Sequence, residues 1–144
     1  MNMSMEFSRK LALAYTAVCK PLCQTLKLPQ TAFDILLFLA NNPAYQTAAD
    51  IVEVRKIKAN LVSVHVDRLV QEGYLERCAV EGDRRKTRLL CTEKAQPVIR
   101  QGRAVQNAFF ARLLDHTDEA TREVFFRTME TIGRNLDQII QENA

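Results

Sequence analysis

The residues with the clearest chemistry are cationic, and they fall into two short groups. Arg84, Arg85 and Lys86 follow the turn signal Glu81-Gly82-Asp83, so a tight turn holds three charges together near its tip. Lys56, Lys58, Asn60, Ser63 and Val64 lie at the start and on the outer face of an amphipathic segment that precedes the turn. Ammonium and guanidinium groups bind phosphate oxygens, and carboxamides, hydroxyls and methyl groups can read base edges. That chemistry is recognition of a polyanion. The charge distribution agrees with it. Arg55 to Arg88 contains nine basic and five acidic residues, a net of +4, whereas the whole chain nets only +3. The positive excess is therefore confined to the middle of the sequence.

Other reactive side chains are few. Cys19 and Cys23 are spaced i, i+4 and share one helix face, as a metal pair, a thiol sensor or small apolar packing residues. Cys78 and Cys91 lie on two predicted strands and face each other if the hairpin is symmetric about its tip. His65 and His116 are far apart, and His65 lies beside an inward stripe, where it reads as a packed residue. No acidic cluster surrounds the cysteines, and no Gly-rich phosphate loop or nucleophile motif occurs. The expectation is neither an enzyme nor a protein with a metal or cofactor. Met1 to Lys10 lacks the apolar core of a signal peptide, and the longest compact apolar stretch, Ile35 to Ala40, is too short to span a membrane. A cytoplasmic protein with reduced thiols and no membrane partner is expected.

The elements that position these residues follow from periodicity. The 144 residues are 47% hydrophobic and 26% charged, enough for one domain with its own core. Helices are predicted over about Ser4–Leu26, Thr31–Asn41, Thr47–Val54 and Lys58–Glu72. In the first, Phe7, Leu11, Ala14, Val18 and Leu22 share a face, and Pro21 predicts a kink or break. Thr47 is the expected N-cap of the third. In the fourth, Val62, Val66 and Leu69 point inward, Asn60, Val64 and Asp67 point outward, and Gly73 closes the C-terminus. Period-two patterning then predicts strands over Tyr74–Val80 and Lys86–Cys91. Two long helices complete the chain. Thr92 starts one, over about Glu93–Leu114. Thr117 caps the other, over about Asp118–Gln141, whose Phe125, Met129, Ile132, Leu136 and Ile139 form a heptad-like seam. Apolar faces at both ends of the chain either fold back within it or pair with a second copy.

Helix, short helix, helix and basic hairpin is the order of a winged helix-turn-helix: mainly α with a small β-hairpin, flanked by long terminal helices. From about Leu28 to Ala95 the sequence resembles the MarR (multiple antibiotic resistance regulator) family. Val66-Asp67-Arg68-Leu69 and Glu72-Gly73-Tyr74-Leu75-Glu76-Arg77 resemble the end of that family's recognition helix and its first wing strand. Asp83-Arg84-Arg85, then Leu89 and Thr92, resemble its wing signature.

The resemblance implies dimerisation helices at 1–27 and 93–144 around a DNA-binding lobe at 28–92, in one continuous domain. It implies a homodimer on double-stranded DNA with a pseudo-palindromic operator, acting as a repressor that answers to a small-molecule effector, often aromatic or anionic. Arg85 matches the arginine that enters the minor groove. Asp83 matches the acid that braces the wing through an ion pair. The chain departs from the pattern at Ser63-Val64, where many members carry Thr-Arg, so the bases read are left open. Arg68 and Arg77 are either structural ion-pair residues or phosphate contacts. Two further readings stand beside this one. One is a winged-helix protein-interaction module without DNA affinity, favoured by the outward Asp67. The other is a thiol-based redox sensor. Tyr15 is a candidate for lining the effector pocket.

Overall fold

The segment Gln30–Asn41 is apolar almost all the way round, and a helix of that kind must be buried on every side. In a computed structural model, which describes residues 5–144, it is the centre of the core. The described chain runs α1 (Met5–Leu26), α2 (Gln30–Asn41), α3 (Ala48–Arg55), α4 (Ala59–Gln71), β1 (Leu75–Val80), β2 (Asp83–Cys91), α5 (Gln96–Leu113) and α6 (Glu119–Glu142). In α2, Ala32, Phe33, Ile35, Leu36, Leu37, Phe38 and Leu39 are all buried. Helices α1 and α4 and strand β2 pack against α2, and α3 packs on α4. Leu69, Leu75, Ile51, Leu89, Val98 and Ile99 complete the core. Each fully buried Leu, Ile or Phe stabilises the fold by roughly 1.5–3 kcal/mol relative to exposure.

Local chemistry sets the ends of the short helices. Thr47 caps α3 as expected: its hydroxyl accepts from the Asp50 amide at 3.1 Å, and Asp50 Oδ2 accepts from the Thr47 amide at 3.1 Å. That reciprocal pair is a capping box. Helix α4 ends as its glycine predicts. Gly73 has φ +84°, its amide donates to Val70 O, and the Tyr74 amide donates to Leu69 O at 2.8 Å. This Schellman arrangement needs a left-handed residue, which glycine supplies without a Cβ clash.

Several expectations are corrected. Helix α1 runs unbroken through Pro21. Only one amide is lost there, close to the helix end, and the Thr25 hydroxyl donates to Pro21 O at 3.0 Å. The stripe from Phe7 to Leu22 meets the core only in its later part: Phe7 and Leu11 are exposed, whereas Tyr15, Val18 and Leu22 pack against buried residues. The expected start at Ser4 lies outside the described residues. Strand β2 begins at Asp83 rather than Lys86. Helix α5 begins at Gln96, after a turn in which the Ala95 amide donates to Thr92 O. Asp118, not Thr117, caps α6, accepting from the Thr121 amide at 2.8 Å. The Thr117 hydroxyl is turned back instead, donating to Leu114 O at 2.5 Å. Cys78 and Cys91 do not face each other, because Cys78 pairs with Arg88 and Cys91 with Leu75. They stand an odd number of positions apart along the ladder, on opposite faces, which no disulfide geometry bridges.

The chain divides after Phe109 into two compact units. In the second, α6 has no buried residue, and Val124, Phe125, Phe126, Met129, Ile132, Leu136, Ile139 and Ile140 all lie open. No helix among the described residues is long and apolar enough to cross a membrane.

Cys19 and Cys23 are buried members of the core, small apolar packing residues of α1. Burial pushes both thiols up, Cys23 to about 11 from an ordinary 9.0. At neutral pH that shift lowers the reactive thiolate of Cys23 by about a hundredfold. Iodoacetamide should therefore label Cys23 at least tens of times more slowly (roughly, on that thiolate fraction) in the native protein than in urea. Peptide mass spectrometry checks this, and equal native and denatured rates would contradict the packing.

Candidate nucleic-acid interface

Helix α4 is presented by a strained turn. Lys56 caps α3 in the left-handed region, at φ 54° and ψ 39°, which costs a non-glycine residue roughly 1–2 kcal/mol. Ile57 and Lys58 then lead straight into α4. Lys58 gives the new helix no side-chain cap, and its first turn carries no acid, so nothing opposes an anion there. Val62, Val66 and Leu69 are buried against the core. Lys56, Lys58, Asn60, Ser63, Val64 and Asp67 are exposed. Val64 is 62% exposed and Leu61 45%. Leu61 was not among the expected site residues. It is off the polar stripe, yet its exposure puts a second apolar side chain beside Val64.

Two ion pairs account for the ambiguous arginines. Arg77 of β1 binds the Asp67 carboxylate of α4 through Nη2. The acid on the outer face is thus neutralised, and the first wing strand is tied to the helix. Arg68 Nε contacts Glu72 Oε1 at 3.1 Å, and its Nη2 donates to Lys27 O at 2.7 Å. The C-terminal end of α4 is further clamped from the segment after the wing. Lys94 Nζ donates to Glu72 O at 2.6 Å and lies 5.0 Å from the centre of the Tyr74 ring, while the Thr92 hydroxyl donates to Gly73 O at 2.6 Å. A cation at that end also complements the helix dipole. Beside the inward stripe, His65 Nδ1 is buried without a hydrogen-bond partner among the described residues.

The wing gathers its charge in a bulge. Its strands pair antiparallel from Leu75 with Cys91 to Ala79 with Thr87, and the next pair is Val80 with Asp83. One strand advances one residue while the other advances four, so Arg84, Arg85 and Lys86 have no partner across the ladder. All three are exposed. A bulge leaves residues unpaired and bends the strand, which here groups three cations next to the turn. Gly82, at φ +85°, closes that turn. Asp83 does not make the expected ion pair. Its Oδ1 accepts from the Arg85 backbone amide at 2.9 Å, so it holds the bulge by its main chain. The Arg85 guanidinium is in no ion pair among the described residues.

The wing is also anchored at its other edge. The Leu89 amide donates to Gln46 O at 2.7 Å, between α2 and α3. Lys86 lies near enough to Asp50 for its charge to be felt. Desolvation pushes the Asp50 carboxyl up, but bonds from Thr47 and Gln46 and the field of Lys86 outweigh it and hold the group below the usual range. Helix α4 and the wing thus belong to one packed body, with the exposed cations of both.

Residues 26–86 match the MarR family. No functionally curated protein matches the sequence. Among solved structures, a MarR-family transcriptional regulator from Listeria monocytogenes, complexed with 26mer DNA, superposes with a TM-score of 0.79 at 18% identity, covering 94% of this chain and 90% of that one. A MarR transcriptional regulator from Methanosarcina mazei Go1 gives 0.74 at 18% identity, with 94% and 99% covered. Wild-type MarR from E. coli in its apo form gives 0.71 at 14%, with 92% and 98% covered. The sequence match makes residues 26–86, which hold the helices and the hairpin cations, a MarR-family segment, and the likeness of fold to the solved MarR structures extends over nine-tenths of the chain.

Proposed function

We propose that the protein is a transcriptional regulator that binds duplex DNA sequence-specifically as a homodimer. The observation that carries this reading is the unpaired Arg84-Arg85-Lys86 bulge, held on the same body as the exposed face of α4. An α-helix fits the major groove, and an arginine at a thin hairpin tip suits the narrow, electronegative minor groove beside it. In this reading Arg85 enters the minor groove, Arg84, Lys86, Lys56 and Lys58 take phosphates, and Asn60, Ser63 and Val64 face the bases. Asp83 sets the wing by holding the Arg85 amide. The pairing of Asp67 with Arg77 removes the like-charge repulsion that had favoured a protein-interaction module. The MarR-family regulator solved with DNA supports the same partner by likeness of fold.

Residues 1–27 and 93–144 furnish the dimer interface, for which the open apolar face of α6 is the support. Two-fold symmetry then places two recognition helices about one DNA turn apart on a pseudo-palindromic operator. The regulator acts as a repressor, and a small aromatic or anionic effector shifts the population between DNA-competent and incompetent states. A groove bordered by Lys20 and Lys27, at the end of α1, offers positive charge to such an anion. Tyr15, whose hydroxyl accepts from Gln106 and whose ring packs edge-on against Phe109, stays a candidate for lining the effector pocket.

Arg85→Ala should weaken duplex binding and make the log–log salt dependence shallower by about one ion, as expected for a lost charged contact. Fluorescence anisotropy across a salt series checks this. Unchanged affinity and slope in a folded variant would remove the wing from the interface. Sedimentation tests the assembly: the full chain should run as a dimer, and Ile132→Asp with Leu136→Asp should dissociate it. A folded wild-type monomer at micromolar concentration would contradict it.

A further inference from the structure

One carboxamide joins three helices. Gln106 of α5 accepts from Asn41 Nδ2 of α2 at 3.1 Å and donates through Nε2 to the Tyr15 hydroxyl of α1 at 2.9 Å. The chain of bonds has a fixed direction. It starts at Arg103, a pure donor, whose Nε bonds Asn41 Oδ1 at 2.9 Å and whose Nη2 bonds Ala40 O at 3.0 Å. Asn41 must then turn its amino group to Gln106, and Gln106 must turn its own to Tyr15. The Tyr15 hydroxyl accepts that last bond and keeps its own proton. Flipping Asn41 would lose two bonds and flipping Gln106 would lose the one to Asn41, since the Tyr15 hydroxyl can donate as well as accept.

The same junction holds a close approach. A Cβ built on Gly102, one turn before Gln106, would lie 2.9 Å from Leu37 Cδ2 and 3.0 Å from two further Leu37 atoms. Leu37 is 1% exposed and has little room to yield. Gly102 therefore lets α5 rest directly on α2. A bare contact of this kind permits rocking, whereas the directed bonds fix one angle.

We propose that Gln106 is a positioning residue that fixes the orientation of the winged-helix lobe against α1 and α5, and so the separation of the two recognition helices in the dimer. The inference rests on the dimeric DNA-binding reading above. Helix α2 transmits the angle, because both α4 and β2 pack on it. The tolerance is small: a shift of about 3.4 Å along the duplex is one base pair. Loss of the Gln106 bonds thus acts on spacing before it acts on contacts, since no exposed cation or base-facing residue is altered.

The test is selection of bound duplexes from a random-sequence pool, with full-length wild type, Gln106→Met and Tyr15→Phe. Tyr15→Phe keeps the ring and removes only the acceptor, which guards against a misfolded first variant. Wild type should enrich paired half-sites at one spacing. Both variants should enrich the same half-site at several spacings, with preference over the one-base-pair shift reduced about fivefold, the factor one hydrogen bond commands. Wild-type spacing preference in both variants would overturn the inference, as would an equal loss of affinity at every spacing. Wild type enriching no paired half-site would overturn the proposed function itself, and this inference with it.

Discussion

The burial of α2 on all sides is the constraint on which the rest depends. An apolar helix of twelve residues cannot face water, so α1, α4 and the wing must close around it. That closure makes the proposed DNA-reading surface out of separate elements. Helix α4 turns Val62, Val66 and Leu69 towards α2, and geometry then sends Asn60, Ser63 and Val64 outward. Leu75 and Leu89 bury the base of the hairpin in the same core, and the tip is left to project.

Electrostatics then sort the charged residues into two kinds. Arg68, Arg77 and Lys94 spend their charge within the fold, on Glu72, on Asp67 and on the C-terminal carbonyl of Glu72. Such exposed pairs contribute little stability, roughly 0–1 kcal/mol each, but they set orientation. Arg84 and Arg85 meet no such partner among the described residues and keep their charge unneutralised. Lys86 stands between the two kinds, near Asp50 yet exposed. Asp83 illustrates the economy of the wing: it bonds an amide, not a guanidinium, and so leaves Arg85 unneutralised.

Much of this was legible in the sequence. The fold was carried by strong local signals: the apolar run Ile35 to Ala40 in α2, Thr47 as an N-cap, the i, i+4, i+7 stripe of α4 and Gly73 at its end. Basic residues after a turn signal marked the wing. What could not be read was set by non-local contacts. Pro21 is tolerated because its lost bond lies near the end of α1. Thr117 and Asp118 compete for one cap, and the winner depends on the turn of chain before them. The bulge that isolates Arg84 to Lys86 is a matter of register, which composition does not encode. The bonds of Gln106 join residues 65 and 91 positions apart, beyond any local pattern.

In the proposed complex one helix occupies the major groove while the wing tip lies in the adjacent minor groove. Dimethyl sulfate footprinting on a selected duplex tests it most directly, since the reagent methylates guanine N7 in the major groove and adenine N3 in the minor groove. Protected guanine N7 positions are expected in two symmetric segments about one turn apart, with protected adenine N3 positions beside each. Guanine protection with every neighbouring adenine N3 left reactive, or no symmetric protection at all, would contradict it.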